Sequence, residues 1–196
     1  MSRLVKSAKS ECGFSLIEIL VTLIIVTLGL LSSATLQALS KRGIYDAAQR
    51  TTAAHLAEDL LERMRGNPGA LASYVPGATL GGGTLGATPG VDCGNATVTC
   101  TAAEMAAFDL WQWEQQLDGA FELDGSRATG GLVSPVACIQ GPGFLGGNGE
   151  YTIAIAWRGM TALANPTAAS CGEASGNYGD DNEYRRVVTI TTYIGI

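Results

Sequence analysis

The sequence predicts an α+β fold in which a long N-terminal α-helix packs on a head holding a second helix and a small antiparallel β-sheet. Three observations carry that expectation. Phe14 to Arg65 keeps helical patterning with no proline. Thr101 followed by Glu104 is the signature of a capping box that opens a second helix. Three late segments alternate apolar and polar residues with the period of strands.

The first element opens apolar on all sides from Phe14 to Leu39, interrupted by the single charge of Glu18. At 1.5 Å per residue this run makes roughly 39 Å of helix, enough to cross the ~30 Å hydrocarbon layer of a bilayer. A secretory signal places its cleavage site after a short apolar run. Here the order is reversed, because the basic stretch Met1–Cys12 leads into Gly13 before the apolar run begins. Arg3, Lys6 and Lys9 favour a cytoplasmic N-terminus, and Lys41 and Arg42 beyond the run reduce that bias. An ionised Glu18 facing lipid costs on the order of a few kcal/mol at mid-bilayer and less near its edge. A compensating positive partner is expected.

Beyond Leu39 the pattern turns amphipathic, with Ala53, Leu56, Ala57, Leu60, Leu61 and Met64 spaced along one side. The helix is expected to reach about Arg65, where Gly66-Asn67-Pro68-Gly69 stops it. His55 reads as a partly exposed helix residue. The organisation that follows is a short leader over residues 1–13, a membrane-crossing or assembly half over 14–39, an amphipathic half over 40–66 and a head over 67–196. Residues 75–92 are rich in glycine and threonine and read as loop, with no lysine at the spacing a phosphate-binding loop needs.

The capped helix is expected to run to about Leu117, laying Ala103, Ala106, Leu110, Trp113 and Leu117 on the sheet. Asp109, Glu114 and Asp118 read as its solvated face and not as a paired acid and base. Trp113 and Trp111 read as packing residues and not as a sugar platform. Strands are expected over Gly131–Ile139, Glu150–Trp157 and Tyr184–Ile194, the first two joined by a hairpin turn over 141–149. The acidic stretch Gly176 to Glu183 has oxygen ligands but not the spacing of a calcium loop, and reads as solvated.

The net charge is -6, and removing residues 1–13, which carry a net +2, would leave about -8. No cluster of Lys and Arg could neutralise several phosphates, so nucleic acid is not an expected partner. Arg185-Arg186, the densest basic point after the helix, reads as a solvated strand end. Apart from Cys12, four cysteines remain, and outside the cytoplasm an even set reads as disulfides. Four allow three connectivities. Favoured is Cys93–Cys100, closing a small loop before the capped helix, with Cys138–Cys171 tying the first strand to the long loop. There is no CxxC pair and His55 is the only histidine, so no metal and no cofactor is implied. Without a histidine after residue 55 or a Gly-x-Ser-x-Gly elbow, the chain does not read as an enzyme.

Gly13-Phe14-Ser15-Leu16-Ile17-Glu18, with a basic leader before it and an apolar helix after it, resembles the type III leader and N-terminal helix of type IV pilins and type II secretion pseudopilins. In the head, Thr101–Leu117 with its Phe108-Asp109-Leu110-Trp111-Gln112-Trp113, the strand ending in Cys138, and the strands Tyr151–Gly159 and Arg185–Ile194 resemble PilV-type minor pilins. The resemblance implies the type IV pilin-like fold. It implies cleavage by a prepilin peptidase between Gly13 and Phe14, methylation of the new amino terminus, and Glu18 as an assembly contact with the amine of a neighbouring subunit. It further implies a single pass through the bacterial inner membrane with the head in the periplasm, followed by a place in a cell-surface pilus. The implied partners are other minor pilins, the major pilin, the prepilin peptidase, the inner-membrane assembly platform and, before assembly, membrane lipid. The implied function is to help initiate pilus assembly, in support of adhesion and twitching motility. A type II secretion minor pseudopilin or a membrane-tethered adhesin is the alternative. Major pilins carry a proline along this helix, and this chain has none there; Gly29 and Ser32-Ser33 are its local weak points.

Overall fold

The computed structural model describes residues 13–125, 127, 128, 130–142 and 147–195. The expected leader through Cys12 and the centre of the 141–149 turn, residues 143–146, lie outside the described residues. The chain divides into two compact units, Met1–Gly43 and Ile44–Ile196, each taken by itself below.

Helix α1 spans Leu16–Gly66. Every described residue of the first unit is exposed. In the second unit α1 buries Ala53, Ala57, Leu60, Leu61 and Met64, the three- and four-residue spacing that makes one helical face. Gln49, also buried, clamps a distant turn. Its Nε2 donates to the Gly131 carbonyl at 3.2 Å and its Oε1 accepts from the Val133 amide at 3.2 Å.

The chain does not pass straight into loop after α1. A 3₁₀ helix over Pro68–Tyr74 buries Leu71 and Tyr74. Asn67 Nδ2 donates to the Ala102 carbonyl at 2.7 Å, and the Tyr74 hydroxyl donates to the Asp109 carboxylate. Arg63 joins this group, donating to Asp59 at 2.9 Å, Asp109 at 3.2 Å and Gln112 at 2.8 Å. Burial first, and the Asp109 carboxylate second, push the Tyr74 hydroxyl well above the usual tyrosine range.

Helix α2 spans Ala102–Leu117, and its capping box is formed, with the Glu104 amide donating to Thr101 Oγ1 at 3.3 Å and the Thr101 amide to Glu104 Oε2 at 2.8 Å. Ala106, Leu110, Trp113 and Leu117 enter the core, but Ala103 is exposed because the first turn precedes the covered part of the helix. The Trp113 indole donates to the Leu56 carbonyl at 2.8 Å, and Trp111 is half-buried with its ring 5.9 Å from that of Phe108.

Glu114 corrects the expectation of a solvated acidic face. It is fully buried, and its carboxylate accepts from the amides of Gly81 at 2.8 Å, Thr84 at 2.9 Å and Leu85 at 2.8 Å, and from the Thr84 hydroxyl. Asp118 accepts from the Gly82 and Gly83 amides, both at 2.8 Å. Gly81, Gly82 and Gly83 all have positive φ, which turns successive N–H groups toward one side and makes a concavity suited to an anion. The loop thus folds over the end of α2, and Leu80 beside it is buried and bridges to Ala137.

Two short strands unforeseen in the sequence follow, β1 over Leu123–Asp124 and β2 over Arg127–Ala128, paired antiparallel. The main sheet has β3 over Val136–Gln140, β4 over Gly149–Arg158 and β5 over Arg185–Ile194, in the antiparallel order β3-β4-β5. Strand β3 begins five residues later than the expected Gly131. Gly131 and Ser134 have positive φ, and a chain so turned cannot lie in a ladder. Gly119 requires its glycine, since its φ is 68° and a Cβ there would stand 1.9 Å from the Gly130 carbonyl oxygen. One face of β4 sends Tyr151, Ile153, Ile155 and Trp157 into the core shared with α1 and α2.

Cys93 is bonded to Cys100, and Cys138 to Cys171. On the other face of the sheet Val136, Ala154, Ala156, Cys171 and Tyr178 form a second, smaller cluster. Burial pushes the Tyr178 hydroxyl up to about 12, and it donates to the Ser134 carbonyl at 2.9 Å.

Arg185 is the second correction. Far from being a solvated strand end, its side chain is fully buried beneath the connection between β4 and β5. It donates to Asn165 Oδ1 at 2.8 Å, to the carbonyls of Ala169 at 2.7 Å and Cys171 at 2.8 Å, to the Pro166 carbonyl, and to Glu173 at 2.9 Å. A guanidinium carries five N–H donors in a rigid plane, and here the loop supplies acceptors all around it.

Candidate processing and assembly site

Gly13, Phe14 and Glu18 lie together at the N-terminal end of the described chain. Gly13 to Ser15 are outside any helix, and nothing stands within 4 Å of a Cβ built on Gly13. Phe14 is 81% exposed. The peptide bond between Gly13 and Phe14 is therefore open, in non-helical backbone, with no side chain on its N-terminal side.

The first turn of α1 is held by Ser15, whose carbonyl accepts from the amides of Glu18 at 3.0 Å and Ile19 at 3.3 Å. Glu18 sits in that turn, where the positive end of the helix dipole favours a carboxylate. Its side chain is exposed and has no hydrogen bond or ion pair among the described residues.

Around it the surface is apolar. Ile17, Leu20, Ile24, Leu28 and Leu31 are between 50% and 68% exposed. The polar side chains among them turn inward on their own helix, as Thr22, Thr27, Ser32 and Thr35 donate to the carbonyls of Ile19, Ile24, Leu28 and Leu31 at 2.9 to 3.0 Å. Hydroxyls satisfied in this way do not ask for water. The helix is long and apolar enough to cross a membrane.

Residues 8–34 match the prokaryotic N-terminal methylation motif, and residues 35–111 match the Tt1218-like family, described as type IV pilin Tt1218. Together the two matches make residues 8–111 similar to type IV pilins. No curated protein and no solved structure matches the chain. Its long N-terminal helix, second helix and three-stranded antiparallel sheet are the type IV pilin fold. The match to a type IV pilin points to a component of a pilus. The apolar helix and the motif fit a membrane-anchored pilin that ends in the fibre, in an assembly context that includes a prepilin peptidase.

The matched segment of the pilin family ends within α2, so it takes in the Arg63–Asp109–Tyr74 group and the 3₁₀ helix. Sequence reasoning missed that group because its members are far apart along the chain and each alone passes for a surface residue. The asparagine before Pro68 and an aspartate at the flank of the apolar stripe carry no pattern that announces a partner.

Of the other residues singled out, His55 is exposed and stands 3.7 Å from Glu58. Among the described residues, no group of three or more His, Cys, Asp or Glu could hold a metal ion.

Proposed function

We propose that this pilin is a minor pilin of the PilV type, which helps initiate type IV pilus assembly and is then incorporated into the pilus. Residues 1–13 are the leader that the prepilin peptidase removes, cutting between Gly13 and Phe14 before the new amine of Phe14 is methylated. Residues 14–39 hold the subunit in the inner membrane and later pack in the fibre. Residues 40–66 and the head over 67–196 lie in the periplasm, and the head meets other minor pilins, the major pilin and the assembly platform. Support for adhesion and twitching motility follows from the pilus itself.

The observation that carries this reading is the Glu18 carboxylate, exposed without a partner among the described residues on a helix segment whose surface is largely apolar. In lipid or in a fibre that charge is costly unless paired. The cation created by cleavage four residues before it, on an adjoining subunit, supplies the pair.

The test is mass analysis of chain recovered from sheared pili, which is expected to begin at N-methyl-Phe14. An intact Met1 on fibre-derived material would overturn the reading. Glu18→Ala is expected to be inserted and processed normally but to enter pili at less than a tenth of the normal level. Loss of pili with protein secretion intact on deletion of the gene separates this function from that of a secretion pseudopilin.

A further inference from the structure

One end of the sheet face opposite the core is polar, beyond the cluster of Val136, Ala154, Ala156, Cys171 and Tyr178. Gln140 on β3, Thr152 on β4 and Thr191 on β5 stand across from one another in register, with the Thr152 and Thr191 hydroxyls 2.9 Å apart. The connection over 168–175 rises against this face and leaves a groove of about 520 Å³, within the ~300–1,000 Å³ of small-ligand sites. Val136, Ala154 and the Cys138–Cys171 disulfide form its floor, and Thr79, Gln140, Ser170 and Thr189 its rim.

Three properties define what the groove takes. No charged side chain lines it. The rim side chains of Thr79, Gln140, Ser170 and Thr189 make no hydrogen bond among the described residues, so an apolar occupant would strip them of water without return. The wall is also rigid, because the disulfide and the Arg185 hydrogen bonds to Ala169 and Cys171 hold the connection in place.

An aromatic ring completes the surface. Tyr193 lies on the same face of β5 as Thr189 and is 69% exposed. Four residues of strand separate the two by about 13 Å. Its register partner Glu150 is exposed as well, placing an acceptor beside the ring and disfavouring anions.

We propose that this face binds an uncharged oligosaccharide, with one ring stacked on Tyr193 and the hydroxyls of the following residues hydrogen-bonded in the groove. A peptide added as a strand beside β3 is disfavoured, since that edge is already bonded by Leu80, at 2.9 Å to the Ala137 carbonyl and 2.8 Å from its amide. The site is independent of which pilus or secretion fibre the subunit enters.

The test is a glycan array carrying neutral and acidic oligosaccharides, probed with the full chain in a detergent that has no sugar headgroup, followed by calorimetric titration of the strongest neutral glycan. Binding confined to neutral glycans is expected, with at least tenfold weaker affinity for Tyr193→Ala and for Thr189→Lys, and no change for His55→Ala on α1. Tyr193→Ala alters only an exposed side chain and keeps the test open if Thr189→Lys misfolds. Binding of no neutral glycan, preference for acidic ones, or unchanged affinity in Tyr193→Ala would each overturn the proposal.

Discussion

Arg185 and Glu173 meet at 2.9 Å with opposite exposures, the arginine side chain fully buried and the glutamate 41% exposed. The arginine is therefore held by the loop carbonyls more than by its ionic partner, and the two residues should not be equivalent. Glu173→Gln is expected to cost less than about 1 kcal/mol, as for an exposed ion pair. Arg185→Ala leaves carbonyls of Pro166, Ala169 and Cys171 without their donor and is expected to cost about 3 kcal/mol or more. Urea denaturation of the two variants checks the ratio, and equal losses would contradict it.

Glu114 makes a sharper local prediction. Glu114→Ala leaves the amides of Gly81, Thr84 and Leu85 without their acceptor. Hydrogen exchange at those three amides is expected to accelerate by at least tenfold, while the amides of β4 stay slow. Uniform acceleration would mean that the loop and the sheet open as one unit.

Alkaline pH is expected to destabilise the head. The hydroxyls of Tyr74, Tyr151 and Tyr178 are all raised by burial, Tyr178 to about 12, whereas an unfolded tyrosine ionises near ~10. Above pH 10 the unfolded chain releases protons that the folded chain keeps, so stability is full below that pH and falls as pH rises through about 12. Melting temperatures between pH 8 and 12 should fall, and Tyr178→Phe should make the slope shallower. A flat profile would contradict the burial.

The two disulfides should differ in worth. By chain entropy, the bond across 33 residues contributes about 3.7 kcal/mol and the bond across seven about 2.4 kcal/mol. Replacing Cys138 and Cys171 with alanine is therefore expected to lower stability by roughly 1 kcal/mol more than replacing Cys93 and Cys100. Chemical denaturation of the two double variants is the measurement.

Much of this fold was legible because it is written in local patterns. The apolar stripe from Ala53 to Met64, the Thr101–Glu104 cap and the alternation of Tyr151, Ile153, Ile155 and Trp157 each lie within a few turns or one strand, and each became the element its period implies. The errors share a cause. Glu114 and Arg185 looked solvated because charge usually is, and their burial depends on acceptors and donors brought from elsewhere: the amides of the 81–85 loop for one, the carbonyls of the 166–171 connection for the other. Ala103 shows the reverse case, a residue with the right spacing at a place where the helix is not yet covered.

By itself the sequence determined the membrane-length apolar helix, the lone Glu18 within it, the capped second helix and the order of the three main strands, because hydrophobic period and helix caps act over neighbouring residues. Only the tertiary structure decided that a glycine loop would wrap a buried carboxylate, that Arg185 would be the peg of a long connection, and that polar side chains from three strands would face one groove beside Tyr193. Such groupings depend on which distant segments meet, and a linear pattern carries no record of that.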